Sequence, residues 1–311
     1  TAVADSTHDE ITELKQQLKL LTQKVAQLEA KNSLKAEDNK TADVTTKDNN
    51  STWTDRIQLS ADIRDRLEYI DERGKDVRSR NRIRFRLGAN AKINNDLNLG
   101  FRLASGGDDP TSTNQTLDDA FSTKDIRLDL AYFDYKLNDD LTLTGGKMKN
   151  PFYKPLKTPV LWDGDLNPEG FALSYDNNGW LGTLVGFSVD ERKAADDVLL
   201  FGGQMTKSFD FDGASLVAGL GYYDYQELQG SVPLFDGKAR GNTLDANGTI
   251  AHDFNIVEGL LEYKTKLADQ HFSVFATYYE NTEADDLNRA YALGFGLGKV
   301  KEAGSWSLGY S

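Results

Sequence analysis

The sequence predicts an all-β chain: an antiparallel transmembrane β-barrel of about 16 strands when complete, about 13 of them present here, preceded by a short coiled-coil helix. Three observations lead there. Beyond Trp53, apolar and polar residues alternate with a period of two in segment after segment, which is the pattern of a strand with one apolar and one polar face. The connections between these segments alternate between tight polar turns and long polar loops. No run approaches the ~18 apolar residues that a membrane-spanning helix requires.

The first element, residues 1–34, differs from the rest. Ile11, Leu14, Leu18, Leu21, Val25 and Leu28 follow alternating spacings of three and four, the a and d positions of a heptad. Glu10 at g and Lys15 at the next e are able to pair between chains, and Asn32 falls at the following a position, where a polar residue fixes register. The other reading of this segment is an amphipathic helix docked on its own domain. The tract over residues 35–52 is polar and charged, as expected of a flexible tether, and it separates the helix from a barrel spanning 53–311.

In the first strand Ile57, Leu59, Ala61, Ile63, Leu67 and Tyr69 share one face, with Gln58, Asp62, Arg64, Arg66 and Glu68 on the other. Its neighbour contains RSRNRIRFRL, residues 78–87, which sends arginines to one face and Ile83, Phe85 and Leu87 to the other. Further strands are expected near 97–105, 125–137, 140–148, 170–176, 179–190, 198–208, 214–224, 249–267, 271–280, 290–299 and 305–311. The tight turns are NND at 94–96, NDD at 138–140, DNNG at 176–179, DFDG at 210–213, ADQ at 268–270 and KEAG at 301–304. Long loops run over 105–124, 150–170 and 224–248. A soluble sandwich has no need of this asymmetry, whereas an outer-membrane barrel has short turns at one end and long loops at the other. Its polar face lines a lumen, so the arginines point into water. Trp53, Tyr69, Tyr132, Tyr135, Trp180, Tyr222, Tyr223, Tyr278 and Tyr279 are expected in the interfacial aromatic girdles.

Composition narrows the function. The chain has 311 residues, a formal net charge of −13, 39% hydrophobic residues, 27 Gly, 13 Tyr and 15 Phe. It has no cysteine, which excludes thiolate chemistry and a disulfide scaffold. The acidic excess argues against nucleic acid as a partner. Its three histidines, His8, His252 and His271, accompany no recognisable nucleophile motif, so no enzyme and no cofactor are expected.

The segments GGKMKNPFYKP, LWDGDLNPEGFALSYD and RSRNRIRFRLGANAKI resemble those of Gram-negative porins, of the "putative porin" type with an N-terminal periplasmic coiled coil. That resemblance implies a homotrimer in the outer membrane, one water-filled pore per subunit passing small hydrophilic solutes, and a constriction loop over 150–170. A bacterial barrel normally has an even strand number and ends in an aromatic residue. This chain stops in mid-strand at Ser311, so its C-terminal strands are expected to be missing.

Within that frame Arg64, Arg66, Arg80, Arg82, Arg84, Arg86 and Arg102 are expected to line the pore as an anion-guiding ladder, with Lys92 beside them. Arg127 joins them if its strand starts in simple register. Hairpin geometry places Glu68 near Arg80 or Arg82 and Asp62 near Arg86, which would tie up part of the ladder. Asp163, Asp165 and Glu169 are the acidic side of the constriction, facing the arginines, and form a weak candidate calcium site. The alternative function is a structural anchor that links membrane lipid to peptidoglycan or another envelope protein through the coil.

Overall fold

The computed structural model describes residues 53–311. The heptad residues Ile11 to Leu28 and the tether at 35–52 lie outside the described residues. After a 3-10 turn at Trp53–Arg56, a single antiparallel sheet runs through the chain. Its strands are β1 (Ile57–Ile70), β2 (Arg78–Lys92), β3 (Leu97–Ser105), β4 (Gln115–Thr116), β5 (Ile126–Lys136), β6 (Leu141–Lys147) and β7 (Glu169–Asn177). They continue as β8 (Trp180–Asp190), β9 (Val198–Phe211), β10 (Ala214–Gln226), β11 (Phe254–Leu267), β12 (Gln270–Asn281), β13 (Arg289–Gly298) and β14 (Ser307–Tyr310).

Apart from β4, each strand pairs with its neighbours in sequence, giving the up-and-down order of a barrel wall. Alternation and turn chemistry together impose this order. In NND and NDD the Asn94 and Asn138 side chains accept the backbone N–H of Asp96 and Asp140, and each turn closes with the N–H of Ile93 or Leu137 donating to the carbonyl of Leu97 or Leu141. Asn178-Gly179 and Ala268-Asp269 take left-handed φ at both positions, the geometry that suits a two-residue hairpin.

Among the described residues there are fourteen strands rather than the expected thirteen. β3 ends at Ser105 while β2 still has unpaired backbone, and Gln115 and Thr116 of the following loop fill that gap against Ile83 and Arg82. A two-residue strand has no periodicity to detect. β11 starts at Phe254, not 249, because Ile250 turns into a small apolar cluster with Val198 and Leu228. β5 carries a bulge: the β3–β5 register shifts beyond Arg102, while β5–β6 pairing runs unbroken to Lys147.

The sheet is apolar on its exposed outer face. Leu59, Ile63 and Leu67 of β1 are 72%, 79% and 83% exposed, and Leu184, Met205, Leu220, Leu261 and Leu293 continue the band. Inward positions are buried and often polar, with Gln204, Thr206, Glu258, Glu262 and Thr277 among them. This inverts the burial order of a soluble protein and matches a wall between hydrocarbon and lumen. Of the aromatic residues expected in the girdles, Tyr69, Tyr135, Trp180, Tyr222 and Tyr278 are exposed, but Tyr223 and Tyr279 belong to the buried inner cluster. Tyr132 also turns inward, where its hydroxyl donates to Asn90 and its ring lies over Gly100. Tyr222 and Tyr223 are sequence neighbours, so a strand cannot present both outward.

Gly146 and Gly170 face each other in register, both with positive φ, where β6 ends and β7 begins. A Cβ on Gly146 would lie 2.3 Å from the Ala131 carbonyl oxygen. Replacing Gly146 with Ala is therefore expected to destabilise the barrel by about 1–3 kcal/mol. The check is the temperature at which the folded band is lost on a heat-modifiability gel, which should fall.

Candidate functional site: the inner wall and its inward segment

The inner wall starts at the β1–β2 hairpin. Its register sets Asp62 opposite Arg86, Arg64 opposite Arg84, Arg66 opposite Arg82 and Glu68 opposite Arg80. Asp62 accepts Arg84 at 3.0 Å and Arg86 at 2.8 Å. Glu68 accepts Arg80 at 2.5 Å and Arg66 at 3.0 Å, with Arg82 at 3.8 Å. Arg64 donates instead to the Asn114 side chain, and Arg82 to the Asn114 carbonyl at 2.9 Å. Five guanidinium groups thus share two carboxylates, and the sixth, that of Arg64, is held by Asn114. On β3, Arg102 pairs with Asp129, the extra residue of the β5 bulge. Arg127 pairs in register with Ala104 and bonds Asp125 at 3.3 Å.

The segment between β6 and β7 crosses the inner face rather than leaving it. Met148 N–H donates to the Pro168 carbonyl at its base. Phe152 and Trp162 then pack with Tyr223 at ring separations of 4.9–5.7 Å. The Gln204 amide clamps the Tyr153 backbone, accepting its N–H at 2.7 Å and donating to its carbonyl at 3.1 Å. The same amide nitrogen donates to Glu258 at 2.8 Å, and the Tyr223 hydroxyl donates to Glu258 at 2.5 Å. The Tyr153 hydroxyl donates to Glu262 and accepts Lys264 at 2.7 Å, while Ser273 donates to Glu262 at 2.6 Å. Two carboxylates less than 5% exposed are thereby hydrogen-bonded on the inner wall.

Of the three acidic residues singled out in the sequence, Asp165 and Glu169 line one cavity, and Asp163 lies outside its lining. Asp165 lies within electrostatic reach of Arg64, Asp163 lies beside Lys154, and Glu169 pairs with Lys147 at 2.7 Å. Among the described residues no cluster of three His, Cys, Asp or Glu side chains is arranged to hold a metal ion. Burial pushes the Lys154 amine below its usual range, and Asp163 offsets part of that effect. That cavity, of about 570 Å³, is also lined by Asn167, Asp108, Asp109, Arg127, Asp129 and Lys147. Burial disfavours the Asp109 carboxylate, but hydrogen bonds from Thr111 and the charges of Arg240 and Arg82 outweigh it, so its pKa lies below the ordinary value.

Sequence reasoning missed Gln204, Tyr223, Glu258 and Glu262. Their signal was parity alone: Glu258 and Glu262 fall on the polar side of an alternating strand, as many solvated residues do. Which polar side chains become anchors depends on what the inward segment covers.

A family model described as "Putative porin" matches residues 70–252, more than half of the chain. The chain therefore belongs to that family. Among solved structures, Pseudomonas putida OprB at high pH is similar with a TM-score of 0.56 at 13% identity, over 80% of this chain and 73% of that one. Salmonella typhi OmpF in complex with daunomycin gives 0.49 at 12% identity, over 79% and 75%. A Rhodopseudomonas blastica porin mutant gives 0.44 at 17% identity, over 78% and 80%. No curated protein matches in sequence. The OprB likeness is one of fold. Family and fold assign the chain to the Gram-negative outer membrane as a β-barrel channel.

The Gln204 clamp is directly testable. Gln204→Ala strands the Tyr153 backbone groups and removes a donor from Glu258, an expected cost of about 1–3 kcal/mol. The unfolding temperature in detergent should fall, and trypsin should cut faster after Lys157. An unchanged cutting rate would mean that aromatic packing alone holds the segment.

Proposed function

We propose that this member of the "putative porin" family is a water-filled diffusion channel for small hydrophilic solutes and that it favours anions. One observation carries the selectivity: within one hairpin, Arg64, Arg66, Arg80, Arg82, Arg84 and Arg86 face only Asp62 and Glu68. Counted over these inward residues of the hairpin, the arginines exceed the carboxylates by four. Pairing orders the ladder without neutralising it. Arginines splinted by shared carboxylates hold fixed positions, so a passing anion meets a preorganised field. At ~4 Å each contact supplies ~1 kcal/mol in bulk water and ~4 kcal/mol at an effective dielectric of 20, strong enough to guide and weak enough to release. Arg102 extends the basic wall, and Asp163, Asp165 and Glu169 form the acidic side of the passage, with Asp165 nearest the arginines.

The N-terminal heptads support a trimer with the helix on the periplasmic side, where the short turns lie in this topology. About three heptads are marginal alone, so the barrel walls supply most of the association. Deleting residues 1–50 should lower trimer stability on native gels while leaving channel activity intact. A monomer at dilute concentration in mild detergent would refute the trimer.

Changing Arg82, Arg84 and Arg86 together to Ser should move selectivity toward cations without touching the outer face. Reversal potentials across a salt gradient in planar bilayers measure this. The shift should be large near 0.01 M salt, where the Debye length is ~30 Å, and small near 1 M, where it is ~3 Å. An unchanged potential at low salt would place the arginines outside the permeation path. Absence of conductance in the wild type would favour a structural anchor with a filled lumen.

A further inference from the structure

The outer face of β8 to β12 carries one feature that the channel does not use. Register sets Trp180, Lys207, Ala218, Leu261 and Ala276 in one row across five strands, and Gly182, Met205, Leu220, Gly259 and Tyr278 in the next. Among the described residues, Lys207 is the one basic side chain at the outward positions of these strands. Among the described residues it has no ion-pair partner. Its ammonium donates to the Asn178 carbonyl at 2.6 Å and lies 5.2 Å from the Trp180 ring centroid. An ammonium has three donors, so this contact leaves others free. Trp180 directly follows the Asn178-Gly179 turn, so the charge stands at headgroup level on the short-turn end.

Beside Lys207 the apolar face is indented. A groove of about 640 Å³ runs between Trp180, Met205, Leu220 and Tyr278 over a floor of Ala218 and Gly259. A Cβ on Gly259 would meet nothing within 4 Å, so the floor is open. A second groove of about 460 Å³ reaches Leu173 and Leu184, and Met205 and Leu220 line both. Those two side chains are therefore the ridge between parallel depressions. A cation lining one apolar groove, with a second groove across the Met205–Leu220 ridge, matches a molecule with one anionic head and two hydrocarbon chains.

We propose that this face holds one diacyl phospholipid of net negative headgroup, its phosphate on Lys207 and an acyl chain in each groove. Charge complementarity selects this occupant over a second copy of the chain. The acidic outward residues Asp224 and Glu280 lie at the loop ends of their strands, far along from the turn that Lys207 adjoins. The site depends on the barrel fold and is independent of ion selectivity, so a failed reversal-potential experiment leaves it standing.

The test is native mass spectrometry of the full chain in mild detergent, titrated with palmitoyl-oleoyl-phosphatidylglycerol, with phosphatidylethanolamine and glycerol 3-phosphate as comparisons. The wild type should retain one phosphatidylglycerol in preference to phosphatidylethanolamine, and glycerol 3-phosphate alone should not bind. Lys207→Gln should weaken retention about fivefold, the worth of one lysine near a charged lipid surface. Gly259→Leu should weaken it by filling the groove, and Leu293→Ala on β13 should leave it unchanged. Heat-modifiable gel mobility reports folding, and if Gly259→Leu does not fold, Lys207→Gln decides alone. Equal retention in wild type and Lys207→Gln, or binding of glycerol 3-phosphate alone, would overturn the site. So would a change in oligomer mass with Gly259→Leu at constant lipid, since a second copy would then cover the face.

Discussion

Hydrocarbon offers no hydrogen bonds, so every backbone N–H and C=O at membrane depth must find a partner within the protein. The rest of this structure depends on that constraint. It explains the uninterrupted antiparallel order from β1 to β14. It also explains the local repairs where the ladder falls short. Beyond the end of β3, Gln115 and Thr116 return to pair with β2, Leu117 N–H donates to Asn81, and the Ser105 hydroxyl accepts Phe85 N–H. These contacts lie in a loop and at a strand end, yet they complete the wall.

Once the ladder is complete, side-chain direction is no longer free. Successive residues point to opposite faces, so an outer face of Leu, Ile and Phe obliges its intervening residues to point inward. In this chain those residues are often charged, and the interior must accommodate them. It does so in two ways. On β1 and β2 the charges pair with each other, with Asp62 and Glu68 each shared among several arginines. On β9 to β12 the inward segment covers the wall, and Gln204, Glu258 and Glu262 spend their hydrogen bonds on that segment and its neighbours. One side of the inner wall therefore remains a row of half-buried guanidinium groups tied to shared carboxylates, while the other becomes a packed support.

The two glycines at the mouth of the inward segment connect these arrangements. Gly146 and Gly170 oppose each other with positive φ, and each brings its Cα against a neighbouring carbonyl where no side chain fits. The close approach redirects the chain from wall to lumen, and the Phe152–Trp162–Tyr223 cluster holds it there. This brings Asp165 to the arginine side while Glu169, still near the wall, stays with Lys147.

The sequence by itself determined the strands, the tight turns and the face on which each strand residue lies, because these follow from a period of two and from local turn chemistry. It brought Glu68 near Arg80 or Arg82 and Asp62 near Arg86, since the two strands must align their faces, but left open which arginines each carboxylate holds. It was silent on β4, on the bulge that places Asp129 beside Arg102, and on the inward roles of Tyr223 and Tyr279. Only the tertiary structure decided these, along with the Gln204 clamp that joins residues 51 positions apart. The physical reason is range. Alternation is recorded between near neighbours in the chain, whereas the partner of a buried polar group is chosen by whichever distant segment the fold brings across the inner face.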